Sequence, residues 1–197
     1  MLATDDIEQH LSGAWRLMLG KADGLRQLDL SADGFWNSFL AILIAAPALI
    51  VGWVAVSDEL ALQSAFFATR FGIILRLALV DIGAWILPLI AFALVAPRAG
   101  VGDRFVHYVV ASNWTSAIVA WLMLPTALSR MLFPSAQSFT ALLSLGLFGL
   151  SMVLTWRMTN ATIGKGAAVG SAVFTAMFML SLLVLFSLQA LFGIYVP

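Results

Sequence analysis

The sequence predicts an all-α fold: a polytopic integral membrane bundle of five transmembrane helices preceded by an N-terminal amphipathic helix. Three observations carry this. Of 197 residues, 62% are hydrophobic and 10% charged, whereas about a quarter of an ordinary soluble domain is charged, so a folded chain of this size lacks the polar surface to disperse in water. The apolar residues fall in five unalternating runs, each near the roughly 20 residues a helix needs to cross about 30 Å of hydrocarbon. Ahead of them lies a segment in which apolar residues recur at helical spacing among charged ones.

In that leading segment Ile7, Leu11, Ala14, Trp15 and Met18 share one helical face. Asp5 and Glu8 have the spacing of a capping box, and Gly20 is placed as a stop. This face is expected to lie on the inner membrane surface with Trp15 as its anchor, or to cover the ends of the bundle. Leu25, Leu28 and Leu30 extend the apolar pattern. Asp5, Asp6, Glu8, Asp23, Asp29 and Asp33 precede the first long run, so no basic-headed signal peptide is expected. Residues 1–34 then form a cytoplasmic segment and residues 35–197 the transmembrane domain.

The first span is expected from Phe35 to Val56, ending at Ser57-Asp58-Glu59. The second runs from about Ile73 to Ala96 and stops before Pro97, which cannot continue a helix. The third begins at Phe105 and reaches Leu124 before Pro125; the fourth covers about Gln137 to Trp156, and the fifth about Ala167 to Val196. All five must be helices, because backbone groups in lipid have to be satisfied within their own segment.

Lys and Arg set the orientation. Arg16, Lys21, Arg26, Arg98, Arg104, Arg157 and Lys165 fall on one side and Arg70 and Arg130 on the other, seven against two, with Arg76 at the start of a span. This puts the N-terminus in the cytoplasm and, after five crossings, Pro197 outside. Phe35, Trp36, Tyr108 and Trp156 then sit near the inner boundary and Trp53, Trp121 and Tyr195 near the outer one, as interfacial aromatics prefer. Trp85 and Trp114 lie deeper and are expected to pack between helices.

Arg76 and Asp81 are the charged residues within a span. Each costs roughly 2.5 to 3.5 kcal/mol at a bilayer centre on insertion scales. Arg76 can snorkel outward, whereas Asp81 lies about 12 Å below Ile73. Five residues apart, they are about 140° apart around the helix, so they do not neutralise each other well. Asp81 is expected to face the bundle interior, accepting hydrogen bonds or binding a proton or cation. Pro88 frees the Ala84 carbonyl, which Asn113, Thr115 or Ser116 could reach, so spans two and three should touch. Gly166 and Gly170 have small-xxx-small spacing, expected to serve packing within the chain.

Ten Lys and Arg balance ten Asp and Glu, so no basic excess attracts nucleic acid. Without cysteine there is no disulfide framework and no thiolate chemistry. The two histidines, His10 and His107, stand in no metal-binding or protease motif, and Gly164-Lys165-Gly166 lacks P-loop spacing. No cofactor, metal or catalytic activity is expected.

Just before the first span the chain reads Asp29-Leu30-Ser31-Ala32-Asp33-Gly34-Phe35-Trp36. With five spans and a cytoplasmic N-terminal segment, this resembles the Yip1-type membrane protein family, whose motif there reads roughly Asp-Leu-Tyr-Gly-Pro-Phe-Trp. The Tyr and Pro are absent here. The resemblance implies a non-enzymatic scaffold, adaptor or assembly factor in which Trp15, Asp29, Gly34, Phe35 and Trp36 engage partners. Those would be other membrane proteins or a second copy, alongside the lipid bilayer; the compact loops and cysteine-free chain point to a bacterial inner membrane as the setting. The alternative is a small transporter or channel component moving a proton, ion or small solute along a polar path through Arg76, Asp81 and Asn113; an embedded enzyme comes third.

Overall fold

The computed structural model describes residues 4–60 and 67–194, and the regular structure among the described residues is all helix, with no strand. The amphipathic helix α1 is Thr4–Met18. Gly20, at φ 80°, ends it as expected, and the chain turns through a short 3-10 helix, Ala22–Gln27. Five helical units long and apolar enough to cross a membrane follow: Ala32–Leu60, Thr69–Val95, Gly102–Leu132, Gln137–Ile163 and Ala167–Phe192. The first contains α2 (Ala32–Asn37), a 3-10 turn and α3 (Ala41–Leu60). The others correspond to α4 (Phe67–Val95), α5 (Phe105–Leu132), α6 (Gln137–Ile163) and α7 (Ala167–Phe192). The expected all-α fold class is what the structure has, and the five units found among the described residues match the expected number of spans and are compatible with an integral membrane protein.

Several boundaries differ from expectation for physical reasons. α5 does not stop at Leu124 but runs through Pro125 to Leu132. In lipid a broken helix would strand more carbonyls than one that continues past a proline, and the Thr126 hydroxyl next to Pro125 donates to the Met123 carbonyl at 2.7 Å. α6 continues seven residues past Trp156, until Gly164 takes the left-handed conformation at φ 62° and donates to the Asn160 carbonyl. α7 ends at Phe192 with Gly193 at φ 63° and an Ile194 to Gln189 closing bond of 2.9 Å, a Schellman-type ending. The expected end at Val196 and the interfacial placement of Tyr195 lie outside the described residues.

The spanning helices close a ring. α3 packs on α5, α5 on α6, α6 on α7, α7 on α4 and α4 back on α3, whereas α4 and α5 meet only slightly across it. Small residues set the closest approaches. A methyl at Gly170 of α7 would strike Asn160 of α6, and one at Gly83 of α4 would meet Leu188 of α7, so the small-residue spacing at Gly170 serves contact within the chain. Gly166 has open space around its Cα and caps α7 instead.

α1 plugs one end of this ring, packing on α5 and α6. Ala14, Leu17 and Met18 are buried with Val110, Ala111, Trp114, Leu154 and Met158. At the same end Lys165 Nζ donates to the Gly100 carbonyl at 2.7 Å and pairs with Asp103 at 2.6 Å, tying the α4–α5 and α6–α7 connections together.

Candidate functional site: a central cavity at Asp81

A cavity of about 600 Å³ lies inside the ring, and all five spanning helices line it. α3 contributes Trp53 and Gly52, α4 contributes Asp81 and Trp85, and α5 contributes Thr115 and Ser116. Thr155 comes from α6 and Gln189 from α7. Leu49, Leu77, Val119, Met123 and Leu185 make most of the remaining wall apolar.

Asp81 sits about halfway along α4. Its Oδ2 accepts the Trp53 indole N–H at 2.7 Å, which is its one hydrogen bond among the described residues, and it forms no ion pair there. Thr115 is 2% exposed, and its hydroxyl has no partner among the described residues. Each orphan group in so apolar a setting carries an uncompensated desolvation cost.

A second polar network lies behind one wall. The Trp85 indole N–H donates to Asn113 Oδ1 at 2.9 Å, and Asn113 Nδ2 donates to Ser38 Oγ at 2.8 Å. Ser38 in turn donates to the Phe35 carbonyl at 2.7 Å. Asn113 thus meets the cavity only through Trp85. Spans two and three touch as expected, but through this indole: the Asn113 amide is spent on Ser38 and Thr115 is unpaired, so neither serves the Ala84 carbonyl.

Two neighbouring cavities extend the first. One of about 520 Å³ shares Gly52, Val56, Met123, Thr126 and Ala127 with it. Another of about 700 Å³ shares Ala55 and Arg130 with the second and reaches Asp58 and Glu59. Its rim carries two ion pairs, Asp58 to Arg70 at 3.0 Å and Glu59 to Arg130 at 3.2 Å. The series runs from mid-bundle to the end opposite α1.

The structure does not bring Arg76, Asp81 and Asn113 together into one polar path. Asp81 lines the cavity; Arg76 reaches the Phe192 carbonyl at 3.4 Å, as a residue that leans outward would. Trp53, expected at the outer boundary, is the donor to Asp81 halfway along α4. Trp121, by contrast, is half exposed and donates to the Ile44 carbonyl at 2.9 Å, next to the Leu43 carbonyl that Pro47 leaves without its intrahelical donor. Trp114 packs between helices, fully buried.

Asp29, Gly34, Phe35 and Trp36 form one compact turn rather than a row of free groups. Asp29 Oδ1 accepts from Ser31 N at 3.0 Å, and Ser31 Oγ accepts from Gly34 N at 3.0 Å as the N-cap of α2. The Ser31 N–H holds the Asp29 carboxyl below its ordinary range. Phe35 packs into the ring against Phe39 and Phe105. Asp29 and Trp36 are exposed, Trp36 at 71%, with Trp15 at 45% on the same end.

His107 belongs to the start of α5, and its Nδ1 is buried without a partner among the described residues. No group of three or more His, Asp or Glu residues comes together among the described residues. Comparison with protein-family models, with curated proteins and with solved structures returns no match to this chain.

Proposed function

We propose that this five-span membrane protein is a small carrier or channel component for a positively charged solute, the proton included, with the central cavity as its site and Asp81 as the group that holds the charge. One observation supports this above the rest. A carboxylate at mid-span lines a cavity reached from all five helices, and a single neutral indole is its compensation. Ionisable groups are retained in a bilayer where they face a cavity and mark a pathway. A cation or proton beside Asp81 supplies the charge that Trp53 cannot. The seven-against-two distribution of Lys and Arg assigns the α1 end to the cytoplasmic side, so the rim with its Asp58–Arg70 and Glu59–Arg130 pairs faces outward.

The test is electrical. Proteoliposomes on a solid-supported membrane are challenged with steps of proton, sodium, potassium, guanidinium and benzyltrimethylammonium. At least one step should give a current above that of empty liposomes, and Asp81→Asn should abolish it. Equal currents from wild type and empty liposomes for all five overturn the proposal.

The adaptor role implied by the resemblance has one observation in its favour, the exposed Trp15 and Trp36 at the α1 end. Capture of a membrane partner by wild type, lost in a Trp15→Ala, Trp36→Ala double variant that keeps its cation currents, would assign that role to this surface.

A further inference from the structure

The composition of the cavity wall narrows what can bind there. A hydrated inorganic ion needs its water replaced by a shell of oxygens, six or more for hard divalent cations, whereas this cavity offers one carboxylate, scattered hydroxyls and an apolar wall. One carboxylate balances one positive charge. Two indoles, Trp53 and Trp85, line the same space with their N–H groups already spent on Asp81 and Asn113. What they have left to offer is ring surface, which attracts cations that shed water easily. The volume, about 600 Å³, falls within the range of roughly 300–1,000 Å³ typical of sites for small organic molecules.

We infer that the ligand class of the Asp81 cavity is a monovalent organic ammonium with an apolar or aromatic body. The positive head sits between the free carboxylate oxygen of Asp81 and the indoles of Trp53 and Trp85, and the body lies along Leu77, Val119 and Met123. The unpaired Thr115 hydroxyl is the second polar contact, available to an N–H or hydroxyl on the ligand. This deepens the transport reading and rests on the cavity being the solute site.

Benzyltrimethylammonium is the probe, because its charge is independent of pH. Isothermal titration of the full-length chain in detergent should give saturable binding, weakened at least tenfold by Asp81→Asn and absent for benzyl alcohol, its neutral counterpart. Equal binding of benzyl alcohol, or displacement of the probe by equimolar sodium, overturns the inference.

A second measurement leaves Asp81 untouched. The chain has no cysteine, so Ser116→Cys places the only thiol on the cavity wall. A trimethylammonium-bearing methanethiosulfonate should modify it at least tenfold faster than a sulfonate-bearing one, and benzyltrimethylammonium should protect it. Equal rates, or a faster sulfonate, overturn the inference. Proton currents without probe binding reject this ligand class and keep the transport reading; probe binding without any current does the reverse.

Discussion

His10 of α1 lies stacked on Trp114 of α5, their ring centroids 5.0 Å apart and their planes inclined by 29°. The imidazole Nε2 accepts the Asp29 backbone N–H at 3.3 Å, so one neutral ring joins α1, the turn before α2 and the core of the bundle. Only the unprotonated nitrogen can accept that bond.

This contact makes the seating of α1 sensitive to acid. Burial lowers the His10 pKa from 6.5, and the carboxylates of Asp29 and Asp6 oppose the shift less strongly. When α1 undocks, the imidazole returns to its ordinary value, so the undocked state binds more protons. Docking therefore holds above that value, weakens as pH falls below it and levels off once both states are protonated. Hydrogen exchange across residues 4–18, corrected for intrinsic rates, should be faster at pH 5.5 than at 7.5. His10→Phe keeps a ring on Trp114 and should remove the difference; an unchanged pH trend in that variant would assign it to the carboxylates.

Gly34 is required by its neighbour, because a methyl there would run into the carbonyl and carboxyl of Asp29. Gly34→Ala should cost about 1–3 kcal/mol, as overpacking does. Asp29→Ala, which removes the acceptor for Ser31 N, should cost about 1 kcal/mol. Thermal unfolding in detergent checks both. If the turn is purely internal, both variants keep any partner that the Trp15 and Trp36 surface captures; loss of capture at full stability would give Asp29 a direct role.

The five spans were legible because hydrocarbon leaves a helix no alternative, and length and apolarity alone then count them. Helix ends were less legible. A proline inside lipid is accommodated, as at Pro125, where the same residue before a solvated turn would terminate the helix. The motif from Asp29 to Trp36 reads in sequence as a set of partner-engaging residues, yet its polar members close on one another through Ser31, a residue whose capping role depends on a turn that spacing does not reveal. Asp81 was found by its charge. Its partner Trp53 was assigned to the membrane boundary because tryptophan prefers that place, and only the approach of α3 to α4 reveals the bond. Gln189 gave no signal and Thr115 only that of a partner for the Ala84 carbonyl, since ring order decides which polar side chains face the same space.

Asn113 tests whether the network behind the cavity is structural. It is fully buried and joins α4, α5 and the 3-10 turn before α3 through Trp85 and Ser38. Hydrogen bonds between membrane helices average about 0.6 kcal/mol, and stranding a buried donor adds to that loss. Asn113→Ala should therefore cost about 1–2 kcal/mol, read from unfolding in sodium dodecyl sulfate. Ser38→Ala removes one of the two bonds and should cost less, and the double variant should cost less than the sum. Strict additivity would mean that the two bonds act independently.

The rim pair of Glu59 and Arg130 links the end of α3 to the end of α5 over the outer cavity at 3.2 Å. Both side chains are more than a third exposed, so the pair is weak in stability, about 0–1 kcal/mol for exposed ion pairs. Its position matters more than its strength, because Arg130 lines both outer cavities and puts positive charge across the route to Asp81. Arg130→Gln should leave the unfolding midpoint almost unchanged while raising the modification rate of Ser116→Cys by the trimethylammonium reagent severalfold. Glu59→Gln, which leaves Arg130 without its partner, should lower that rate. High salt should shrink both effects, as expected for charges this exposed. Rates that ignore both substitutions would mean that cations reach the cavity by another path, between helices rather than past the rim.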